Sequence, residues 1–227
     1  MQTSSPSGAI LVIGASLEAE RVVDLVRQLP DPPTILGLIA VDPTTEKVGV
    51  PVCRLPVLDT LDNVANFADR IVGAVPAAEN VDDRELICAT LARCSIPALP
   101  LVHPKACLGP DVEIGPGAVI HANATLDARV RVGRGALIGL SATLGARTRV
   151  GDYAEIAPGC VIGPEVRLGE RARLDLGCRI TAKVLVGPNA AVGPGSLVTT
   201  DVPGNAQVIG NPAKPVERTR HPEMDGA

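Results

Sequence analysis

Three groups of residues have types and spacings from which chemistry is built. The first is Gly14-Ala15-Ser16, which ends the apolar run Ala9–Ile13 and opens a helical pattern containing Val22, Val23, Leu25 and Val26. A helix N-terminus presents unpaired N–H groups to phosphate. Two readings fit: a turn that cradles phosphate or ribose, or an ordinary strand-to-helix turn. A redox dinucleotide is disfavoured, because Ser16 and Ala19 stand where a GxGxxG fingerprint needs glycine. The second group is basic. Arg131, Arg149 and Arg167 are 18 residues apart, as are Arg129 and Arg147, which Glu165 and Lys183 follow at the same interval. Like charges stacked at strand spacing repel, so ligand phosphates, acidic groups of a neighbouring subunit or plain solvent must neutralise them. The third group is the thiols. Six Cys are scattered with neither a CxxC pair nor zinc spacing. Cys160 and Cys178, again 18 apart, are expected to stack as small packed side chains rather than to form a disulfide or hold a metal.

The interval of 18 comes from a repeat of six. An aliphatic residue recurs at every sixth position from Leu108 through Ile120, Ile138 and Ile156 to Val198. Four residues after each stands a small one, from Val112 and Ala118 to Ser196 and Val202, and the residue next to the aliphatic one is usually Gly. A period of six is neither the 2 of an alternating strand nor the 3.6 of a helix. It is the mark of a β-helix. Each hexad is then a short strand and a turn, with the aliphatic and small side chains pointing inward and Gly serving corners of unusual φ. Three hexads close one coil, and residues 18 apart stack at about 4.8 Å. One coil cannot bury its own core, so stability comes from stacking on neighbours.

Before the repeat, Thr34–Val41, Arg70–Val75 and Ile96–Val102 read as further strands, and Val57–Ala68 and Asp82–Cys94 as helices. Strands alternating with helices make a small α/β domain with a parallel sheet, here Rossmann-like. The expected organisation is a tail over 1–8, an α/β domain over 9–104, an all-β helix of hexads with a C-terminal cap over 105–216, and a second tail over 217–227. Phe67 and Tyr153 are the only aromatic rings, so the core must be built from Val, Ile, Leu and Ala, which suits a narrow prism. A net charge of −4 argues against a general nucleic-acid binder. No apolar run reaches membrane-spanning length and the N-terminus lacks a signal-peptide pattern. The unpaired cysteines point to a reducing cytoplasm.

The order of features is specific: Gly14-Ala15-Ser16 in an α/β domain, then His103-Pro104-Lys105-Ala106, unbroken hexads, Asp201-Val202-Pro203, and Gly210-Asn211-Pro212-Ala213-Lys214. It resembles the hexapeptide-repeat acyltransferases of the bacillosamine N-acetyltransferase and sialic-acid O-acetyltransferase kind, over roughly residues 9–216. The resemblance implies a left-handed prism and a homotrimer. It also implies acetyl-CoA as co-substrate between neighbouring prisms, no metal, and a nucleotide-linked amino sugar held partly by the N-terminal domain.

Carried over by position, the family's active site is altered. Its histidine precedes a hexad that matches Arg149-Val150-Gly151-Asp152, and so falls at Ala146, which cannot take a proton. A second family histidine falls at Glu155. The family's Gly-Ala-Ser-Gly-His-Gly becomes Gly14-Ala15-Ser16-Leu17-Glu18-Ala19, and its run of acids after the second strand shrinks to Asp42. Two replacement bases are available. Glu155 is one, unless it is only a surface charge near Arg173. His121 is the other, unless it is only a solvent-facing corner. The resemblance gives the CoA contacts to Gly163-Pro164, Thr181-Ala182 and Gly193-Pro194, where Pro164 and Pro194 lack an N–H donor. It gives nucleotide-sugar contacts to Gly14, Ala15, Ser16 and Asp42. The expected function is CoA-dependent acyl transfer to an amino sugar or related small amine. The alternatives are a catalytically silent trimeric scaffold or a transferase with a changed donor or acceptor.

Overall fold

The computed structural model describes residues 8–216. Residues 1–7 and 217–227, with most of the two expected tails, lie outside it. The N-terminal part runs β1 (Ala9–Ile13), α1 (Leu17–Arg27), β2 (Thr34–Ala40), β3 (Pro51–Val52), β4 (Leu55–Thr60), a 3-10 helix (Leu61–Arg70), β5 (Gly73–Pro76) and α2 (Val81–Arg93). The five strands form one sheet in the order β3-β4-β2-β1-β5, parallel except for the β3–β4 hairpin. Both of its faces are covered. Ile10, Val12 and Leu38 pack with Val22, Val23 and Val26 of α1. Leu11, Ile13 and Ile39 pack with Phe67 of the 3-10 helix and with Ile87 and Leu91 of α2. Alternation along each strand thus feeds two cores, as a parallel sheet between helices requires.

One expectation needs correction here. Residues 57–60 are strand, not helix, and only 3-10 structure follows them. Val57 pairs with Leu38, and this sheet pairing overrides a local pattern that looks helical. The third strand lies at Gly73–Pro76. Beyond an isolated bridge from Ala98 to Ala74, the expected fourth strand contributes only β6 (Leu101–Val102), which joins the prism.

From β7 (Cys107–Leu108) to β22 (Leu197–Val198), sixteen two-residue strands follow at the six-residue period. They stack into the three faces of a left-handed parallel β-helix. Partners are 18 apart throughout, as in Arg131↔Arg149, Glu155↔Arg173 and Leu126↔Leu144. The interior is mainly aliphatic, and Ile120, Leu126, Ile138 and Leu144 are fully buried. Cys160 and Cys178 stack inside it as expected, each thiol donating to a carbonyl of the coil, Asp175 O at 3.2 Å and Gly193 O at 3.1 Å. The neighbouring Cys178 and burial keep the Cys160 thiol protonated. Gln207–Gly210 continues one face and turns back antiparallel through Ala213–Pro215, closing the last coil.

The corner glycines have a different cause from the one the sequence suggests. The residue after the aliphatic position, such as Gly145, has ordinary φ. A Cβ there would lie 2.6 Å from the Pro164 nitrogen of the next coil, so glycine is needed for close stacking of coils. Positive φ falls two residues later, where Asn123, Arg147, Glu165 and Lys183 adopt it beside Gly159 and Gly177.

The two domains are locked together. The N-terminal domain lies on the face formed by Leu101, Val119, Leu137 and Glu155, and the first three of these belong to the α1 core. On the other side Arg171 forks onto Asp82 and Glu85 of α2. Buried Arg84 of α2 donates to the carbonyls of Ala78 and Glu79 and reaches that of Tyr153 in the prism.

Candidate functional site

The docking of α1 on the prism creates the site. The first turn of α1 carries Glu18 and Glu20, acids where the helix dipole favours them. Glu18 points into the junction and is 1 % exposed. Its Oε2 accepts from Arg21 at 3.3 Å, and its Oε1 lies 2.8 Å from Nε2 of His121. His121 stands at the corner after the second strand of its prism face, one coil beyond His103. Its side chain is 7 % exposed. The reading of His121 as a solvent-facing corner is therefore corrected: the N-terminal domain covers it. His103 is buried too, accepts from the Lys105 N–H on Nδ1, and is shifted down by burial and by Lys105.

Glu155 joins the same place from two coils further along. A cleft of about 230 Å³ is lined by Glu18, Arg21, His121, Leu140 and Glu155. Glu155 pairs not with Arg173, its strand neighbour, but with Arg84 at 3.5 Å. Burial pulls the Arg84 guanidinium down from its usual range while Glu155 opposes the shift. Arginine does not lose its proton in proteins, so Arg84 acts as a fixed cation under Glu155. A second cleft, of about 310 Å³, continues down the same face and is lined by Glu155, Arg173, Gly193, Pro194, Gln207 and Ile209. The two clefts meet at Glu155 and Ala157, of which Glu155 carries the charge.

The structure divides the other expected site residues. Gly193-Pro194 lies on the face of Glu155 and His121. Gly163-Pro164 and Thr181-Ala182 stack on one another at a different edge, in the column that also contains Gly145-Ala146. A single chain therefore does not bring all six onto one ligand. Ala146 likewise lines neither cleft. The N–H of Ala182 has no backbone partner among the described residues and is available to an outside acceptor, whereas the two prolines have none to offer.

At the β1–α1 turn, Gly14 has φ +128° and packs so closely on the Ala77 carbonyl that no Cβ fits. The Ala15 N–H donates to Glu46 Oε1 at 2.8 Å, and the Val41 N–H to Glu46 Oε2 at 2.6 Å. Glu46 therefore holds the donor that a phosphate would need, and its charge opposes one. This corrects the expectation of a phosphate cradle at Ala15. Asp42 is turned onto Thr44 and Thr45, and hydrogen bonds from Thr44 lower its carboxyl from the ordinary value. Ser16 Oγ is buried without a partner among the described residues.

Sequence reasoning misses Glu18, Arg84 and Glu46 as parts of the site. Only Glu18 carries a signal, its place in the Gly-Ala-Ser motif where the family has histidine. Among the described residues no cluster of metal-ligating side chains occurs, and no helix is long and apolar enough to cross a membrane.

No protein-family model and no curated protein matches this sequence. Solved structures do match. The acetyltransferase domain of PglB from Neisseria gonorrhoeae is 26 % identical, with a TM-score of 0.83 over 92 % of this chain and 100 % of that one. The same domain in complex with acetyl coenzyme A gives 26 % and 0.84 over 93 % and 100 %. PerB from Caulobacter crescentus, in complex with CoA and GDP-perosamine, shares the fold at 24 % identity and a TM-score of 0.84, over 95 % of this chain and 100 % of that chain. Across both domains, then, the chain resembles the hexapeptide-repeat acyltransferases.

Proposed function

We propose that the protein transfers an acetyl group from acetyl-CoA to an amino group of a nucleotide-linked sugar or a related small amine. The observation that carries this reading is the meeting of two clefts at Glu155. The larger of the two clefts, with Gly193, Pro194 and Arg173, takes the donor, and the cleft at the domain junction takes the acceptor amine. The likeness to a domain solved with acetyl coenzyme A supports the same assignment. Gly163, Pro164, Thr181 and Ala182 lie on another edge, so they touch the donor only if a neighbouring prism supplies them. That is the physical reason for reading the protein as a homotrimer with acetyl-CoA between subunits. The free thiols fit a reducing cytoplasm.

Titration calorimetry with acetyl-CoA, together with light scattering, tests the reading. Binding to a three-chain particle is expected, and no heat at millimolar acetyl-CoA would sink it. One observation favours the scaffold alternative: Ala146 stands where the family has its histidine. A scaffold binds no donor, so the same titration separates the two.

Glu155 serves as the anion that receives the acceptor's amine at the mouth of both clefts. Glu155→Gln keeps the shape and removes the charge. It is expected to raise the acceptor KM about tenfold, in the range of a lost charged hydrogen bond, and to leave the acetyl-CoA KM unchanged. Steady-state kinetics with each substrate varied in turn checks this.

A further inference from the structure

We propose that Glu18, from the N-terminal domain, is the positioning residue that makes His121 of the prism the general base. This rests on the acetyl-transfer reading. It also assigns a proton acceptor in place of the one that Ala146 cannot supply. Besides Glu18, three possible proton acceptors line the junction cleft: Glu79, which is exposed, Glu155, which pairs with Arg84, and His121. Imidazole is the side chain matched to proton transfer near pH 7.

The geometry selects one ring nitrogen. Nε2 faces the Glu18 carboxylate at 2.8 Å, and both side chains are less than one-tenth exposed. A carboxylate only accepts, so Nε2 carries the proton. Nδ1 is then the lone pair. It has no side-chain hydrogen bond among the described residues and is not among the buried unpartnered atoms, so it opens to the cleft that His121 lines. The other Glu18 oxygen is anchored by Arg21, which fixes the carboxylate's rotation.

The transfer then balances without a metal or a redox partner. The amine lone pair forms the C–N bond to the thioester carbonyl carbon, and the C–S bond breaks. Nδ1 takes the proton lost by nitrogen, and Glu18 stabilises the resulting imidazolium. Nδ1 hands that proton to the departing thiolate, so amide and free thiol leave and the ring regains its first state. The pair exists only because α1 docks on Leu101, Val119 and Leu137; the base is assembled between the domains.

Glu18→Gln tests this sharply. Arg21 holds the amide oxygen on its own side, which turns the amide NH₂ toward Nε2. Nε2 must then accept, and the proton moves to Nδ1, blocking the base. Two measurements on the full chain are made: ¹⁵N spectra of labelled histidine, and steady-state kinetics with acetyl-CoA and a nucleotide-linked amino sugar. Expected are the Nε2–H tautomer in the unaltered protein, the Nδ1–H tautomer in Glu18→Gln, and a kcat lower by about 10²–10⁴ with both KM values kept, the range of a lost general base. Glu18→Asp, which keeps the acceptor and charge, is expected to retain the Nε2–H tautomer and recover part of the rate. A merely structural Glu18 would not produce this kcat-only loss, tautomer switch and rescue. An Nδ1–H ring in the unaltered protein, or a kcat within threefold in Glu18→Gln, overturns the proposal. Failure of the acetyl-transfer reading looks different: no turnover in the unaltered protein, with the tautomer as described.

Discussion

Replacing His121 by Asn is expected to lower kcat for acetyl transfer by about 10²–10⁴, the usual contribution of a positioned base. Asparagine keeps a polar side chain beside Glu18 but cannot carry a proton between amine and thiolate. The effect should appear in kcat rather than in the KM for acetyl-CoA, because the donor cleft at Gly193 and Pro194 does not include His121. The change also weakens a buried hydrogen bond to Glu18, at a cost of about 1–3 kcal/mol if the carboxylate finds no new partner. A melting curve run alongside the rate assay separates that cost from the catalytic loss. Rates within threefold of the unaltered protein would remove His121 from the mechanism. Comparison with Glu155→Gln is informative, since that variant is expected to act on acceptor KM instead. The two candidate bases are then distinguished by which kinetic constant each one moves.

The second large effect is on the prism. Leu144→Ala is expected to destabilise the fold by about 2–5 kcal/mol. Leu144 is fully buried, paired with Leu126 on one side and Ile162 on the other. A cavity there is felt by three coils, because each coil is covered only by its neighbours. Loss of that size is a large part of the roughly 5–15 kcal/mol that holds a typical domain folded. Leu185→Ala, at 47 % exposure on the outside of the same repeat, is expected to change stability by less than about 0.5 kcal/mol. Urea unfolding midpoints of the two variants, measured side by side, check the contrast. Similar shifts for both would mean that the interior does not bear the stability.

The prism is legible in the sequence because its cause is local and repeated. A six-residue period places Ile156 inside and Glu155 outside whatever else the chain does. The 18-residue register alone sets Arg131 against Arg149 and Cys160 near Cys178, and the coils stack accordingly. The N-terminal sheet is less legible. Val57 enters a strand because Leu38 is there to pair with it, and a helical-looking window carries no information about that partner. The corner glycines stand where the repeat puts them, but positive φ is not their cause. Their cause is the approach of the next coil's backbone, a distance between segments rather than a property of the residue.

The site divides in the same way. Glu155 and His121 are legible as candidates because the repeat numbers every outward position. Their environments are not. His121 becomes buried, and Glu155 acquires Arg84, through docking of a domain distant in sequence. Glu46 turns the expected phosphate turn into a filled one by reaching back 31 residues to Ala15.

The amino-acid sequence is thus sufficient for the prism, its register, its aliphatic interior and the lack of a proton-accepting side chain at Ala146. Only the folded chain brings Glu18 to His121 and Arg84 to Glu155. Periodic burial is encoded residue by residue in side-chain type. A hydrogen bond between domains depends on the relative placement of two separately formed cores, and no local pattern specifies that placement.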